Sequence, residues 1–357
     1  MRACYDPRND GAGGRVPGEG PVLNLGDVLA QLPPSVRAPF KDPAVTEVML
    51  NSDGSAWYER QGRVEAIPGV EVSDKAREGA AVAIARPLGF PADEAHPLAD
   101  ARLPDGSRVA VTCPPVVLSH EIVVRRFGSP PLSLSDLVRS GSVDLETCDL
   151  ALEAIGERHN VLVSGGTSSG KTTLLQALAG ELDRRERVIV IEDTRELDLS
   201  GLPNCSRWEA RRGRDDDGLP SVTVRRLVRH ALRARPDRIF VGEVRGSEAL
   251  DLLQALNTGH GGSLSTLHAP SARAAPGRLA ACAMQARDGL PWDAVCMMVG
   301  AAVDVIVHVE RDWKSGRRRV AECVELRGFD ARSGEWIWGE SRRPSTSPSE
   351  SGFSRGS

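Results

Sequence analysis

The chain has 357 residues, and a length of this order is enough for two folded domains. Hydrophobic residues make up 40% and charged residues 26% of the sequence, which is ordinary for a globular protein. The net charge of −4 gives no electrostatic reason to expect a nucleic-acid-binding protein. We therefore expect a soluble protein that is at most peripheral to a membrane.

Cysteine spacing and the terminal sequence indicate a cytoplasmic protein. The seven cysteines are scattered without a C-x-x-C pair, which argues against a structural zinc site and against a disulfide framework. The N-terminal segment has no apolar core, so no signal peptide is expected. The apolar run 294–303 is too short to cross a bilayer.

The first half of the chain predicts a disordered tail at residues 1–20 and a small α+β domain at 21–127. The tail is rich in glycine, proline and arginine, whereas the following block contains alternating apolar residues and turn signals. The predicted elements are strands at 45–50 and 56–60 joined by a turn at 51–54, a helix at 73–85, a turn and strand within 102–111, and a strand at 121–126.

The second half predicts a linker at 128–150, a larger domain at 151–340 and a disordered tail at 341–357. The larger block alternates apolar strands with helical patterns, which is typical of a mainly parallel sheet. Its predicted strands lie at 160–164, 187–191, 238–241, 263–267 and 303–309.

A glycine-rich loop directly follows the first strand of the larger block. It fits G-x-x-x-x-G-K-[ST], and a helix-forming segment follows it. Glycines let successive N–H groups point at phosphate oxygens, and the helix N-terminus adds positive charge. We expect Lys171 to reach the β- and γ-phosphates and the Thr172 hydroxyl to hold Mg²⁺. The predicted nucleotide-binding residues are Gly165, Gly166, Thr167, Ser168, Ser169, Gly170, Lys171, Thr172 and Thr173.

Acidic residues end two of the predicted strands. Glu192 and Asp193 follow the strand at 187–191, where Glu192 could activate the attacking water and Asp193 could support the metal. A solvated loop of charges is the alternative for these two residues. Glu243 ends the strand at 238–241, as a Walker B acid that holds Mg²⁺ partly through water.

His268 ends the predicted strand at 263–267 and could sense the γ-phosphate through a hydrogen bond. The alternative for a single histidine is a structural role, which we assign to His260 in the preceding glycine turn.

Arginines form a basic face on a predicted helix at 224–235. Arg226, Arg229 and Arg233 share that face and could contact phosphates, in a ring as arginine fingers for a neighbouring subunit. A solvated basic face is the alternative. The short basic clusters at 184–187, 211–214 and 317–319 are each expected to be solvated surface.

These motifs, in this order, resemble those of the type II/type IV secretion ATPase superfamily. The likeness covers about residues 35–330: the P-loop, an acidic box at 191–197, a Walker B motif at 242–246 and a histidine box at 261–268. Residues 232–246, together with 100–109 in the first block, look most like CpaF/TadA-type ATPases of Flp/Tad pilus assembly. The chain lacks the tetracysteine insertion of zinc-binding members, which argues against the type II branch.

The resemblance implies an α/β fold in which a RecA-like P-loop NTPase domain follows a smaller α+β, PAS-like domain. It also implies a homo-hexamer that uses ATP and Mg²⁺ to power pilus assembly or secretion. Such a ring would lie at the cytoplasmic face of the inner membrane, with membrane-platform proteins as partners and without direct nucleic-acid contact.

The resemblance also suggests roles for individual residues. Lys171, Glu192, Glu243 and His268 match catalytic positions of the family, and Thr172 and Glu243 match its metal positions. Arginines that match phosphate-contacting positions are Arg233 and Arg211 (or Arg214 in place of Arg211), with Arg108 and Arg126 in the first domain.

Several alternatives remain open from the sequence. A conjugation-type transfer ATPase competes with the Flp/Tad assignment, and a nucleotide-gated ring with little hydrolysis or a nucleic-acid translocase competes with both. Pro270, where the family usually has Asn, and Pro276-Gly277, which is expected to interrupt a helix, depart from the family pattern.

Overall fold

The computed structural model describes residues 23–60, 62–127, 131–211 and 220–342. They form two compact units, one of residues up to 129 and one of residues from 130. The predicted tail at 1–20, most of the predicted tail at 341–357, and Arg214 lie outside the described residues.

The first unit is a six-stranded antiparallel sheet with short helices. Its strand order is β3-β2-β1-β6-β5-β4. Short 3-10 helices cover Ala38–Lys41 and Arg86–Leu88. The elements are α1 (Leu25–Gln31), α2 (Pro34–Arg37), β1 (Val45–Leu50), β2 (Ser55–Arg60), β3 (Arg63–Glu71), α3 (Asp74–Ala85), β4 (Leu98–Arg102), β5 (Arg108–Thr112) and β6 (Glu121–Arg125).

Local sequence explains the helices and hairpins of this unit. Asn24 caps α1 because its side chain accepts from the N–H of Asp27, whose carboxylate accepts from the N–H of Asn24 in return. The predicted hairpin is confirmed, since β1 and β2 pair in antiparallel register on either side of the turn. One face of α3 supplies Ala81 and Ile84 to the core between helix and sheet.

The second unit is an eight-stranded sheet, ordered β14-β13-β12-β7-β11-β10-β8-β9, with helices packed against it. Strands β7 to β12 run parallel, and β13 and β14 add an antiparallel edge. The elements are α4 (Leu134–Arg139), α5 (Leu145–Gly156), β7 (Val161–Gly165), α6 (Lys171–Ala179), β8 (Val188–Glu192), β9 (Cys205–Glu209), α7 (Val224–Ala231), β10 (Arg238–Val244), α8 (Glu248–Asn257), β11 (Leu264–His268), α9 (Ala275–Met284), α10 (Trp292–Ala302), β12 (Val305–Arg311), β13 (Arg318–Asp330) and β14 (Glu335–Arg342).

The central strands are buried on both faces, as expected of a parallel sheet covered by helices. All five residues of β7 and all five of β8 are buried, and β11 is exposed only partly, at His268. Parallel strands place their carboxyl ends at one edge, which is where ligands bind in such folds. The P-loop follows β7 at this edge, and Glu192, Glu243 and His268 lie at the carboxyl ends of β8, β10 and β11. The predicted α/β class is thereby confirmed.

The structure differs from the sequence interpretation at both ends of the larger domain. The predicted linker at 128–150 contains α4 and the start of α5, and Leu134 and Leu137 pack into the core of the second unit. At the other end, β14 runs to Arg342 and so extends two residues into the predicted tail. Short amphipathic helices bounded by turn residues resemble a linker in composition, which explains the first difference.

Pro276 does not interrupt a helix. It lies in the first turn of α9, where a backbone N–H would have no partner within the helix. The prediction from Pro276-Gly277 was therefore wrong. Among the described residues, no helix is long and apolar enough to span a membrane.

Candidate active site

The P-loop connects β7 to α6 and ends with a lysine folded back on the loop. Gly170 adopts the left-handed conformation that starts α6. Lys171 is only 7% exposed, and its Nζ donates to the carbonyl oxygens of Gly165 at 3.2 Å and Gly166 at 2.7 Å. Burial lowers the pKa of the Lys171 ammonium, and the nearby Glu243 carboxylate opposes this shift. The loop thus presents backbone N–H groups and an ammonium at one helix N-terminus, which suits an anion.

A chain of short contacts joins the P-loop lysine to the strand-end acid and histidine. Lys171 Nζ lies 3.4 Å from His268 Nε2, and that nitrogen lies 2.7 Å from Glu243 Oε1. The other carboxylate oxygen of Glu243, Oε2, accepts a hydrogen bond from Arg245 Nη2 at 2.6 Å. The structure therefore brings together three predicted site residues from β10, β11 and α6.

The conformation of β10 directs Glu243 toward the P-loop. The parallel pairing of β10 with β11 changes register between Val241 and Val244, and a bulge of this kind re-aims the side chain within it. The Thr266 hydroxyl fixes the bulge by donating to the Gly242 carbonyl oxygen at 2.6 Å. A Cβ atom at Gly242 would lie 2.7 Å from Glu192 Cγ, so glycine here leaves room for Glu192 beside Glu243.

Glu192 is buried, and only one of its two carboxylate oxygens accepts hydrogen bonds from the described residues. It is 4% exposed, and its Oε1 accepts from the N–H groups of Glu196 at 2.7 Å and Leu197 at 3.0 Å. Its Oε2 is buried and makes no hydrogen bond within the part of the chain that the structure describes. Burial raises the pKa of Glu192, and the two backbone N–H groups oppose the rise. This is the setting of a candidate general base with one oxygen left for a water molecule.

The His268 side chain is suited to act as a neutral hydrogen-bonding group. Burial and the Lys171 ammonium lower its pKa, while the Glu243 carboxylate raises it and is outweighed. Because the ordinary pKa of histidine is near 6.5, the imidazole is neutral at physiological pH. In that form one ring N–H can donate to Glu243 or to an incoming phosphate.

The structure does not bring Arg233 to the P-loop of the same chain. Helix α7 ends at Ala231, before Arg233, so the predicted helix at 224–235 is too long. The following Ala234 carbonyl accepts from Arg187 Nε at 3.0 Å, immediately before the start of β8. Arg233 is therefore near the amino ends of the strands, whereas the P-loop is at their carboxyl ends.

Three of the other predicted arginines, Arg229, Arg211 and Arg126, have protein partners. Arg229 pairs with the buried Asp251, and Arg211 donates to the Pro220 carbonyl oxygen at 3.0 Å. In the first unit, Arg126 binds the Phe40 carbonyl and stacks over the Phe40 ring, and Arg108 is half-buried at the start of β5. The side chains of Arg229 and Arg126 are therefore each occupied by a contact within their own unit.

Two arginines near the site were missed by the sequence reasoning. Arg245 donates a hydrogen bond to Glu243, and its position two residues after the Walker B acid was the available signal. Arg318 belongs to the basic cluster at 317–319, which was expected to be solvated surface. Its Nε instead donates to the Ser168 carbonyl oxygen of the P-loop at 2.9 Å, so that expectation was wrong for Arg318.

The side chains fit a magnesium ion shared with a nucleotide better than a metal held by protein alone. The described residues contain no group of three or more histidine, cysteine or acidic side chains placed to hold a metal. Mg²⁺ is usually bound by one or two protein oxygens together with phosphates and water. Thr172, which follows Lys171 in the sequence, and Glu243 stay the predicted residues to supply them.

The type II/IV secretion system protein family matches residues 39–328. A putative conjugal transfer protein of Mycobacterium tuberculosis is 37% identical over 294 residues, which cover 80% of this chain and 82% of that protein. The probable conjugal transfer protein TrbB of Sinorhizobium fredii is 37% identical over 292 residues, covering 81% and 85%.

The X-ray structure of the ATPase DotB of Legionella pneumophila shares the fold, with a TM-score of 0.59 at 22% identity, covering 82% of this chain and 79% of that one. The family resemblance and the RecA-like fold expected from the sequence are thereby confirmed. The finer likeness to CpaF/TadA-type proteins stays a prediction. The chain belongs to the type II/IV secretion system ATPase family.

Proposed function

We propose that the protein hydrolyses ATP with Mg²⁺ and that the reaction drives a type IV secretion machine of the conjugation type. One observation carries the hydrolytic part: His268 contacts both Lys171 and Glu243 beside the P-loop, and Glu192 packs against the same strand end. A binding module without hydrolysis has no need of a buried acid with a spare oxygen.

Each of these residues has a distinct proposed task. Lys171 and the P-loop N–H groups bind the phosphates. Thr172 and Glu243 would hold Mg²⁺, which would supply positive charge beside the phosphates. Glu192 orients the attacking water and takes its proton at Oε2. His268, neutral and with Nε2 2.7 Å from Glu243 Oε1, senses the terminal phosphate.

The names of the relatives support the conjugation-type assignment, because both similar proteins described above are conjugal transfer proteins. This favours the alternative from the sequence over Flp/Tad pilus assembly, which stays as a second candidate on the strength of residues 232–246. In either case we propose a homo-hexamer at the cytoplasmic face of a membrane with platform proteins as partners.

The test is steady-state phosphate release by the purified full-length chain. Lys171→Ala should lower the rate at least about 100-fold, and Glu243→Ala should impair it strongly. Lys75→Ala, which removes an exposed lysine of α3, is the matched control and should retain the wild-type rate.

Three results would change the proposal. Full turnover by Lys171→Ala would remove the P-loop from the reaction. ATP binding without phosphate release by the wild type would favour the nucleotide-gated module. Turnover that depends on added DNA would favour a translocase.

A further inference from the structure

The hairpin formed by β12 and β13 contacts the P-loop strand and the P-loop itself. Strand β12 runs parallel to β7 with Val309 opposite Gly165, so the hairpin turn begins at the edge of the sheet that carries the P-loop. In β7, one residue before the loop, the buried Ser164 Oγ lies 2.9 Å from His308 Nδ1 of β12. The hairpin is therefore placed to determine the conformation of the loop.

The backbone approach between hairpin and loop is close. A Cβ atom at Gly165 would collide with the Val309 carbonyl oxygen and lie 2.6 Å from Ser169 Oγ. The first residue of the P-loop is thus held against β12 with no space for a side chain.

Ser168 adopts a conformation that serine disfavours. Its φ is +57°, in the left-handed region that glycine enters readily and other residues enter at a cost. The carbonyl oxygen of this residue accepts from Arg318 Nε at 2.9 Å. The hydrogen bond is charge-assisted, so it is among the stronger contacts available to hold the peptide in this orientation.

The stem of Arg318 also covers the end of the loop. Its Cδ lies 3.3 Å from the position of a Cβ atom at Gly170, the residue that starts α6 in the left-handed conformation. Arg318 therefore lies against the loop at two of its residues with positive φ, Ser168 and Gly170. A side chain fixed at these two points restrains the intervening N–H groups, which are those that would face phosphate.

We propose that Arg318 is a positioning residue that holds the P-loop in its phosphate-binding conformation before the nucleotide arrives. The inference rests on the proposed function, since it requires the loop to bind ATP. Pre-ordering a loop improves affinity because less conformational freedom is lost on binding. Arg318 acts through the Ser168 peptide, so its effect on nucleotide binding should depend on which residue occupies position 168.

The experiment measures the Kd of Mg-ATP by calorimetry on the full-length chain. Arg318→Met keeps most of the side-chain stem but removes the donor, and we expect it to raise the Kd about tenfold. Arg317→Met is the matched control, because Arg317 is exposed and, among the residues that the structure describes, hydrogen-bonds only through its backbone. It should bind with the wild-type Kd.

A second variant separates positioning from a direct contact with phosphate. Ser168→Gly removes the cost of the left-handed conformation, so Ser168→Gly in the Arg318→Met background should recover at least about threefold in affinity. A purely structural role would lower the unfolding temperature without this recovery.

Two outcomes overturn the inference: Arg318→Met binding as tightly as Arg317→Met, or no recovery in the double variant. If the wild type itself fails to bind Mg-ATP, the proposed function fails instead. If the wild type binds Mg-ATP, Lys171→Ala does not, and Arg318→Met binds like the wild type, then only the role of Arg318 is rejected and the proposed function stands.

Discussion

Glu192 and Glu243 are two acids at neighbouring strand ends, and their surroundings give them different chemistry. Glu243 accepts a hydrogen bond from Arg245 at Oε2, and its Oε1 lies 2.7 Å from His268 Nε2. Glu192 is held on one oxygen by backbone N–H groups and is buried on the other. An acid beside a guanidinium and an imidazole can exchange them for a metal, whereas a buried acid with a raised pKa is better suited to proton transfer.

We predict that Glu192→Gln separates catalysis from binding. The amide oxygen can accept the same two backbone N–H groups, so the fold and the Kd for Mg-ATP should stay within about threefold of the wild type. The hydrolysis rate should fall at least about 100-fold because the base is lost. Calorimetry and phosphate release measure the two quantities.

Glu243→Gln is the comparison for this prediction. It should weaken the dependence of ATP binding on Mg²⁺, an effect that Glu192→Gln should not have. If Glu192→Gln retained the wild-type hydrolysis rate, the general base would have to be sought elsewhere.

At the level of elements, the hairpin of β12 and β13 carries a buried histidine beneath the P-loop. His308 contacts Ser164, and Glu310, Glu322 and Lys171 act on it from β12, β13 and α6. Burial lowers the pKa of His308 below its ordinary 6.5, and the two carboxylates only partly oppose this. Protonation of His308 therefore disfavours the folded state.

We predict that the protein loses stability as the pH falls through the range just below 6.5, the ordinary pKa of histidine. In that range the unfolded chain binds a proton at residue 308 that the folded chain does not, so the free energy of unfolding decreases with decreasing pH. Between about pH 7.5 and pH 5.5, the free energy of unfolding should fall by about 1 kcal/mol less in His308→Asn than in the wild type. Urea unfolding at the two pH values measures the difference.

His268→Asn provides the comparison for this pH effect. His268 also has a lowered pKa but is partly exposed, so removing it should change the pH dependence less than removing His308 does. Equal pH dependence in His308→Asn and the wild type would show that this buried histidine does not control the acid response.

The elements that sequence patterns predicted best are those whose pattern reflects local physics. Residues 188–191 of β8 and 161–163 of β7 are uniformly apolar runs, and the P-loop has a fixed glycine spacing, so each could be placed from its own residues. Arg318 could not be assigned in this way, because it is separated from Ser168 by 150 residues and its neighbours in the sequence are exposed. The same holds for the packing of Glu192 against Gly242, which depends on the pairing of β8 with β10.

At the scale of the whole molecule, the placement of Arg233 bears on assembly. Arg233 is exposed near the amino ends of the strands, and the P-loop of the same chain is at their carboxyl ends. An arginine in this position can contact a nucleotide only if another copy of the chain brings its P-loop to it. The proposed hexamer would provide such a neighbour at every site.

Mixing two inactive variants tests this arrangement directly. Lys171→Ala cannot use its own P-loop but retains Arg233, whereas Arg233→Ala retains the P-loop but lacks the arginine. In an equal mixture that exchanges subunits, about a quarter of the interfaces combine an intact P-loop with an intact Arg233 of the neighbour. We therefore predict that the mixture recovers up to about a quarter of the wild-type hydrolysis rate, although each variant alone is nearly inactive.

Energy transfer between labelled subunits must first show that the variants exchange, and sedimentation with ATP must show an assembly larger than a monomer. Wild-type activity in Arg233→Ala would mean that this arginine contacts no phosphate. An inactive mixture, despite demonstrated exchange, would mean that Arg233 supports its own subunit. Recovery requires one subunit to complete the site of another, because neither variant contains both groups.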